Sequence, residues 1–467
     1  MAIADFSVWH WLAMVQHELL LFAGIFFLIG ALDDLAVDIY WLWLRMTGRA
    51  RTKRIDSALL VQQELSGQAA IFIPAWQEEQ VIGDTIAHAL KVWPQSNLRL
   101  YVGCYRNDWD TIRAAMAGAP NDPRLRLVFH DRAGPTTKAD CLNRLYRALR
   151  EDEERTGKKA HMVVFHDAED LVDPAALPLL DQAIGAAEFV QLPVLPLPQE
   201  NSHWLGSHYC EEFAEAHGKT MVVRDALGAA VPAAGVGCAI SRGALEQLAQ
   251  QSGDNSPFAA DSITEDYELG LSVAANGGRS RFLRMRHADG SLIATRAYFP
   301  ARLDHIVKQK TRWVHGIALQ GWDRTGWTGG LAETWMRIRD RRGPMAALVL
   351  LIAYLLLAIS TLSWGASLLD LGVEMKASLE LKLLLALNLF AFTWRASWRF
   401  AFTAREFGIV EGTRAVLRVP VANIIAIMAG RRALFAYVRT LTGKELTWDK
   451  TPHFVHPARP QAEAIVL

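Results

Sequence analysis

The chain has 467 residues, with 49 Lys and Arg balanced by 49 Asp and Glu, so its formal net charge is zero. No Lys/Arg run interleaves with aromatic residues, and this excludes the usual electrostatic footprint of a nucleic-acid-binding protein. The four cysteines (Cys104, Cys141, Cys210, Cys238) are too far apart for a metal or disulfide motif and read as reduced, buried thiols.

Residues 1–44 contain no Lys or Arg, and residues 11–32 are apolar apart from Glu18, with His17 beside it. Such a segment can cross the roughly 20-residue core of a bilayer. It lacks a small-residue cleavage site behind a basic start, so it reads as an anchor. Asp33, Asp34 and Asp38 follow where the segment passes into Ile39-Tyr40-Trp41-Leu42-Trp43-Leu44. Acids at that depth read as the polar face of an interfacial helix, set among lipid headgroups. Arg45, Arg49, Arg51, Lys53 and Arg54 come next, and this basic flank puts the following polar domain in the cytoplasm.

From residue 69 to 340 the chain alternates strand-like and helix-like segments, the pattern of an α/β fold with a mainly parallel sheet. Residues 69–74 read as a buried first strand and 81–92 as a helix. Residues 98–103, 125–129 and 161–165 read as further strands. Ligands of open α/β sheets bind beyond the carboxyl ends of strands. Glu78-Glu79, Asn107-Asp108 and Asp167-Ala168-Glu169 stand at such ends, after the first, second and fourth strands.

Asp167 and Glu169, one residue apart on a turn, can reach one hard cation, Mg²⁺ or Mn²⁺, which would neutralise two departing phosphates. Asp170 is either a substitute ligand or a helix cap. Glu78 is expected to face a nucleoside, with Asp108 helping from the neighbouring loop. Lys138 is expected to touch the nucleotide or to orient the carboxylates. Thr264-Glu265-Asp266 supplies carboxylates about 100 residues further on, as direct displacement requires if one acid group serves a metal and another the acceptor. Asp266 is expected to face the acceptor, with Glu265 counted among the substrate-binding residues but pointing elsewhere on the chain. Gln309 and Arg312 share one helix face, where they can hold a pyrophosphate, and Trp313 can stack on a sugar ring.

Arg337, Arg339, Arg341 and Arg342 close the polar domain as a second basic flank. Residues 345–369 form a charge-free apolar run, a second spanning candidate. Residues 377–400 form a third, whose Glu380, Lys382, Arg395 and Arg399 can snorkel from its ends. Residues 416–429 contain Pro420 and are bracketed by Arg414, Arg418, Arg431 and Arg432; they read as an interfacial or re-entrant helix. The expected division is an anchor at 1–44, a cytoplasmic catalytic domain at 45–342, and membrane helices with a short tail at 343–467.

The series Pro74-Ala75-Trp76-Gln77-Glu78-Glu79, Asp167-Ala168-Glu169, Thr264-Glu265-Asp266 and Gln309-Lys310-Thr311-Arg312-Trp313 resembles the membrane-bound family 2 glycosyltransferases, which include cellulose, hyaluronan and poly-N-acetylglucosamine synthases. The resemblance implies a GT-A (Rossmann-like) nucleotide-sugar domain, an inverting mechanism and a divalent metal at the DxD-like motif. It gives the base role to Asp266, and acceptor and diphosphate contacts to Gln309, Arg312 and Trp313. The implied activity is transfer of a hexose or N-acetylhexosamine from a UDP-sugar to a glycan or lipid-linked acceptor. The implied setting is the bacterial inner membrane, in exopolysaccharide or envelope glycan synthesis. Single-sugar transfer to polyprenyl phosphate and a catalytically inert receptor or scaffold are the alternatives.

Residues 212–215, 231–237 and 447–453 carry a narrower likeness to inner-membrane members that continue into a C-terminal regulatory domain. This chain departs from the pattern twice: Glu169 is longer than the usual Asp by a methylene, and the sequence stops shortly after His453. Regulation is therefore expected from a separate chain, and export from an outer-membrane secretion partner.

Overall fold

The computed structural model describes residues 7–327, 329–369, 377–442 and 453–459. The stretch 447–452, part of the narrower likeness, lies outside the described residues. A seven-stranded sheet forms the centre: β1 (Gln68–Pro74), β2 (Leu98–Cys104), β3 (Leu125–Phe129), β4 (Ala160–Phe165), β5 (Phe189–Gln191), β6 (Cys238–Ser241) and β7 (Ser280–Phe282), in the order β3-β2-β1-β4-β6-β5-β7. The first four strands run parallel, whereas β6 is antiparallel to both β4 and β5. The expected mainly parallel α/β sheet is thus present, with one reversed strand.

Strands β1 and β4 are buried on both faces, which is why they read as continuous apolar runs rather than alternating ones. One face packs Ile71, Ile73 and Val164 against Ile86 and Trp93. The other packs Phe72, Val163 and Phe165 against Leu145 and Leu149. Each such side chain contributes about 1.5–3 kcal/mol by leaving water. All four cysteines are free and buried, as expected.

Helix α1 (Val8–Met46) is 39 residues long, far beyond the expected apolar segment. Its acids do not sit among headgroups. Asp33 accepts from Arg342 at 2.7 Å and also pairs with Arg339. Asp34 pairs with Arg339, Arg342 and Arg395 at 2.9, 2.8 and 2.6 Å. Asp38, fully buried, pairs with Lys219 at 2.5 Å and accepts the Trp394 indole N–H at 2.8 Å. A buried acid needs such partners, because leaving it unpaired costs several kcal/mol. The same contacts absorb Arg339 and Arg342, while Arg337 pairs with Glu333 at 2.6 Å and Arg341 lies 4.4 Å over Trp327. The basic flank at 337–342 is therefore largely an internal clamp between α1 and the polar domain.

The chain then continues through α2 (Gly343–Ser367), α3 (Leu379–Phe407), α4 (Ile409–Leu417) and α5 (Val419–Leu441). By length and composition, Val8–Met46, Gly343–Ser367 and Val419–Leu441 can cross a membrane. Helix α3 is long enough, but its charged residues, including Arg395, Arg399 and Arg405, keep it less apolar than those three. The third spanning candidate thus moves from 377–400 to 419–441. Pro420 stands in the first turn of α5, where its missing N–H does no harm, so it starts a 23-residue helix rather than breaking a short one.

Candidate active site

A cavity of about 960 Å³ opens at the carboxyl end of β4. Its walls include Lys138, Asp167, Glu169, Glu265, Asp266, Gln309, Arg312 and Trp313, brought together from four separate segments. Nearly every residue expected to act on substrate or metal therefore meets in one place; Glu78 and Asp108 do not line this wall.

The acidic floor is built from the loop after β4. Asp170 is fully buried and turned inward, accepting from His166 Nδ1 at 2.9 Å and from the Asp167 N–H at 3.0 Å. Through Oδ2 it shapes the turn that presents Asp167 and Glu169, and it lines the cavity beside them. Asp167 Oδ1 pairs with Lys138 Nζ at 2.5 Å. Lys138 opens the helix Lys138–Thr156, which Thr137 caps by accepting the Asp140 N–H at 3.1 Å. Burial alone would lower the Lys138 pKa, but the carboxylates of Asp167, Glu265 and Asp266 outweigh it and push the pKa up.

Glu169 is pushed up to about 8, first by burial and then by Asp167 and Glu78, with the His453 ring acting against this. Glu265 is likewise raised to about 8 by burial and by neighbouring Asp266. Burial raises Asp266 too, while Lys138 opposes the shift. Carboxylates crowded this closely disfavour their own charged forms, and a bound divalent cation would relieve that cost. The donor set therefore fits a hard cation: Asp167 and Glu169 are the expected ligands, and Glu78, Glu169 and His453 offer atoms within 4.8 Å of one another.

Glu78 is buried, and its carboxylate faces the His453 ring at 3.2 and 3.3 Å. Asp108 caps the helix Trp109–Gly118 and accepts the Gln77 N–H at 2.6 Å. Gln77 has a φ of +54°, a conformation that costs a non-glycine residue energy, and the Asp108 contact helps hold it. Asp108 thus positions the loop that carries Glu78.

Glu265 and Asp266 occupy the first turn of the helix Glu265–Ala275, and both line the cavity. Both residues begin the same helix, whose N-terminus opens on the site. Asp266 Oδ1 accepts the Tyr267 N–H at 2.7 Å. Its Oδ2 lies against Gly235, where φ is +82° and an added Cβ would overlap the carboxylate. Gly235→Ala should therefore displace Asp266 and slow catalysis by about 10²-fold, measured as initial rate beside a melting curve. A normal rate in a folded variant would show that the Asp266 position is uncritical.

Gln309, Arg312 and Trp313 lie on the helix Leu303–Trp313. Arg312 Nε and Gln309 Oε1 are buried, and neither has a hydrogen-bond partner among the described residues. Buried polar atoms of this kind are rare unless a ligand or water completes them. Trp313 sits between Tyr209 and Phe213, with ring centroids 5.9 and 6.2 Å away, and leaves part of its surface on the cavity.

Sequence reasoning missed two contributors. Arg431, Arg432 and Arg439 of α5 line the cavity; the only signal in the sequence was that the first two bracket an apolar segment. His453 comes from the C-terminal segment, 375 residues from its partner Glu78.

A model described as "Glycosyltransferase like family 2" matches residues 67–316, a stretch that includes every cluster from Glu78 to Trp313. The chain is 33% identical over 471 aligned residues to Bacteriophage adsorption protein B of Escherichia coli (strain K12), with 95% of this chain and 62% of that protein covered. The likeness to Bacteriophage N4 adsorption protein B of Escherichia coli O157:H7 has the same extent. The chain thus spans somewhat less than two thirds of the length of these curated relatives. Among solved structures it is similar to the mannosyltransferase PcManGT from Pyrobaculum calidifontis in complex with GDP-Man and Mn²⁺. The TM-score is 0.51 at 16% identity, covering 89% of this chain and 99% of that one, so the likeness is one of fold. It is the GT-A-like fold that the order of motifs implies. With the family match spanning the sheet and the acidic cavity at its strand ends, the chain belongs to the glycosyltransferase like family 2.

Proposed function

We propose that this chain moves a hexose or N-acetylhexosamine from a UDP-sugar to a hydroxyl of a glycan or lipid-linked acceptor, with inversion. The observation that carries this reading is the meeting of Lys138, Asp167, Glu169, Asp266, Gln309 and Arg312 around one cavity of about 960 Å³. In the proposed reaction the acceptor oxygen attacks the anomeric carbon from the side opposite the diphosphate. Its proton passes to Asp266, and the carbon–oxygen bond to the nucleoside diphosphate breaks. Arg312 holds the departing pyrophosphate through its buried Nε–H, which has no hydrogen-bond partner among the described residues, and Gln309 assists through its side-chain amide N–H groups. Mg²⁺ or Mn²⁺ held by Asp167 and Glu169 would neutralise charge on the two phosphates. Trp313 offers the part of its surface that lines the cavity to the acceptor sugar.

The site belongs at the bacterial inner membrane with the catalytic domain on the cytoplasmic side, the side where nucleotide sugars are made. Residues 45–54 supply the basic flank that supports this orientation. Export through an outer-membrane partner and control by a separate chain extend the proposal to envelope or exopolysaccharide synthesis.

A second reading, single-sugar transfer to a polyprenyl phosphate, draws on Arg431, Arg432 and Arg439. These place cations on the cavity wall formed by an apolar helix. Membranes containing the protein, supplied with UDP-sugars and GDP-mannose in turn, distinguish the two by product mass. A ladder or elongated glycan supports the first reading, and one lipid-linked sugar selects the second. Release of no nucleoside diphosphate from any donor would revive the inert receptor.

The metal makes a separate expected outcome. Asp167→Asn should abolish transfer and weaken UDP binding chiefly when Mn²⁺ is present. Equal UDP affinity with and without Mn²⁺ in the unmutated protein would contradict the metal assignment.

A further inference from the structure

Residues 453–459 fold back toward the loops that follow β1 and β4, and contacts of His456 and Arg459 fasten them there. His456 is fully buried with Nε2 3.2 Å from the Asp170 carbonyl oxygen. Its Nδ1 accepts the Ala458 N–H at 3.1 Å, which fixes the ring from the other side. Arg459 Nε pairs with Asp84 Oδ2 at 2.5 Å. Between this anchorage and the sheet lies His453. Its Nδ1 is 3.2 Å from Glu78 Oε1, and its Nε2 is 3.2 Å from Glu169 Oε1.

Two carboxylates facing opposite edges of one imidazole have a specific chemical use. If Nδ1 carries the proton and donates it to Glu78, the Nε2 lone pair is aimed at Glu169. A cation between Nε2 and Glu169 would then be bound by one nitrogen and one carboxylate, with Glu78 fixing the tautomer behind the ring. Metal-bound histidines are commonly oriented in this way by a carboxylate on their second nitrogen. Asp167 is the less available ligand, because Lys138 already holds its Oδ1.

Resting on the metal part of the function proposed above, we infer that His453 is a ligand of the catalytic divalent cation, sharing it with Glu169, while Glu78 orients the imidazole. The C-terminal segment thereby becomes part of the donor site. Imidazole nitrogen suits Mn²⁺ better than the harder Mg²⁺, which prefers oxygen and retains its water. The His453 ligand therefore biases the site toward Mn²⁺.

The test is electron paramagnetic resonance of Mn²⁺ bound to the full chain in detergent, with and without UDP, read by electron spin echo modulation. The unmutated protein should show ¹⁴N modulation from a coordinated imidazole. His453→Gln should lose that modulation and bind Mn²⁺ about tenfold or more weakly, with Mg²⁺ affinity little changed. Glu78→Gln should keep the modulation and weaken Mn²⁺ by about 10–100-fold, the range for loss of an orienting partner. Bound Mn²⁺ without ¹⁴N modulation in the unmutated protein would overturn the His453 assignment and leave the metal at Asp167 and Glu169 intact. No Mn²⁺ binding at all would overturn both. The decisive reading needs no variant, so a folding defect in either substitution cannot obscure it.

Discussion

Asp266→Asn is expected to slow sugar transfer by about 10²–10⁴-fold, the usual contribution of a positioned general base, while UDP and metal binding stay nearly unchanged. An acceptor hydroxyl is a weak nucleophile near neutral pH and needs a group to take its proton as the new bond forms. Asp266 is suited to this because burial raises its pKa toward the working range. Asp167 is committed to Lys138, and Glu169 faces His453. Asn keeps the size of the side chain and its contact with the Tyr267 N–H, so the loss reports basicity rather than shape. Glu265 is the control, since it begins the same helix and lines the same cavity. If Asp266→Asn transferred sugar normally while Glu265→Gln was inactive, the base would be Glu265.

The largest effect on stability is expected from Glu211. Its carboxylate accepts from Arg418 Nη2 at 2.6 Å, from Arg418 Nε at 3.1 Å and from Arg399 at 2.9 Å. Glu211 and Arg418 are both fully buried, and Glu411 completes the cluster at 2.6 Å from Arg418 Nη1. Glu211→Ala leaves two guanidinium groups short of a partner in a dry site, which should cost about 3–5 kcal/mol. Glu211 lies on the helix His208–Glu215, which also carries Tyr209 and Phe213 beside Trp313. Activity should therefore fall with stability, because α3 and the start of α5 hold the aromatic wall of the cavity through this acid. Thermal unfolding in detergent checks it. The Glu211→Met/Arg418→Met pair should recover only part of the loss, since Arg399 and Glu411 each still lose a charged partner. A cost below about 1 kcal/mol for the single change would mean water reaches the cluster.

The strands at 68–74, 98–104, 125–129 and 160–165 were legible because each is an apolar run of ordinary strand length next to turn residues. The short strands Phe189–Gln191 and Ser280–Phe282 were not, since three residues hold too little pattern to distinguish them from loop. Of the site, the residues at strand and helix ends were legible because position in the α/β pattern predicts convergence. Asp108 and Asp170 show the limit of that logic. Their location suits a ligand, but each accepts backbone N–H groups, Asp108 from the neighbouring loop and Asp170 from its own. Asp33, Asp34 and Asp38 show another limit. Charge near an apolar segment reads as a headgroup contact until the arginines 300 positions away are found beside it. His453 was legible only as part of a likeness, because its meaning depends on a contact spanning most of the chain.

The central claim is that the acidic cavity is a nucleotide-sugar transfer site, and its most direct measurement is nucleoside diphosphate release by the purified chain in detergent or nanodiscs. The donors are UDP-hexoses, UDP-N-acetylhexosamines and GDP-mannose, each with Mn²⁺ or Mg²⁺ and each repeated with a chelator. The account predicts that a UDP-sugar is consumed, that the chelator stops the reaction, and that Asp266→Asn lowers its rate by at least about 10²-fold. Consumption of no donor under any condition, or consumption unaffected by both the chelator and Asp266→Asn, would contradict it.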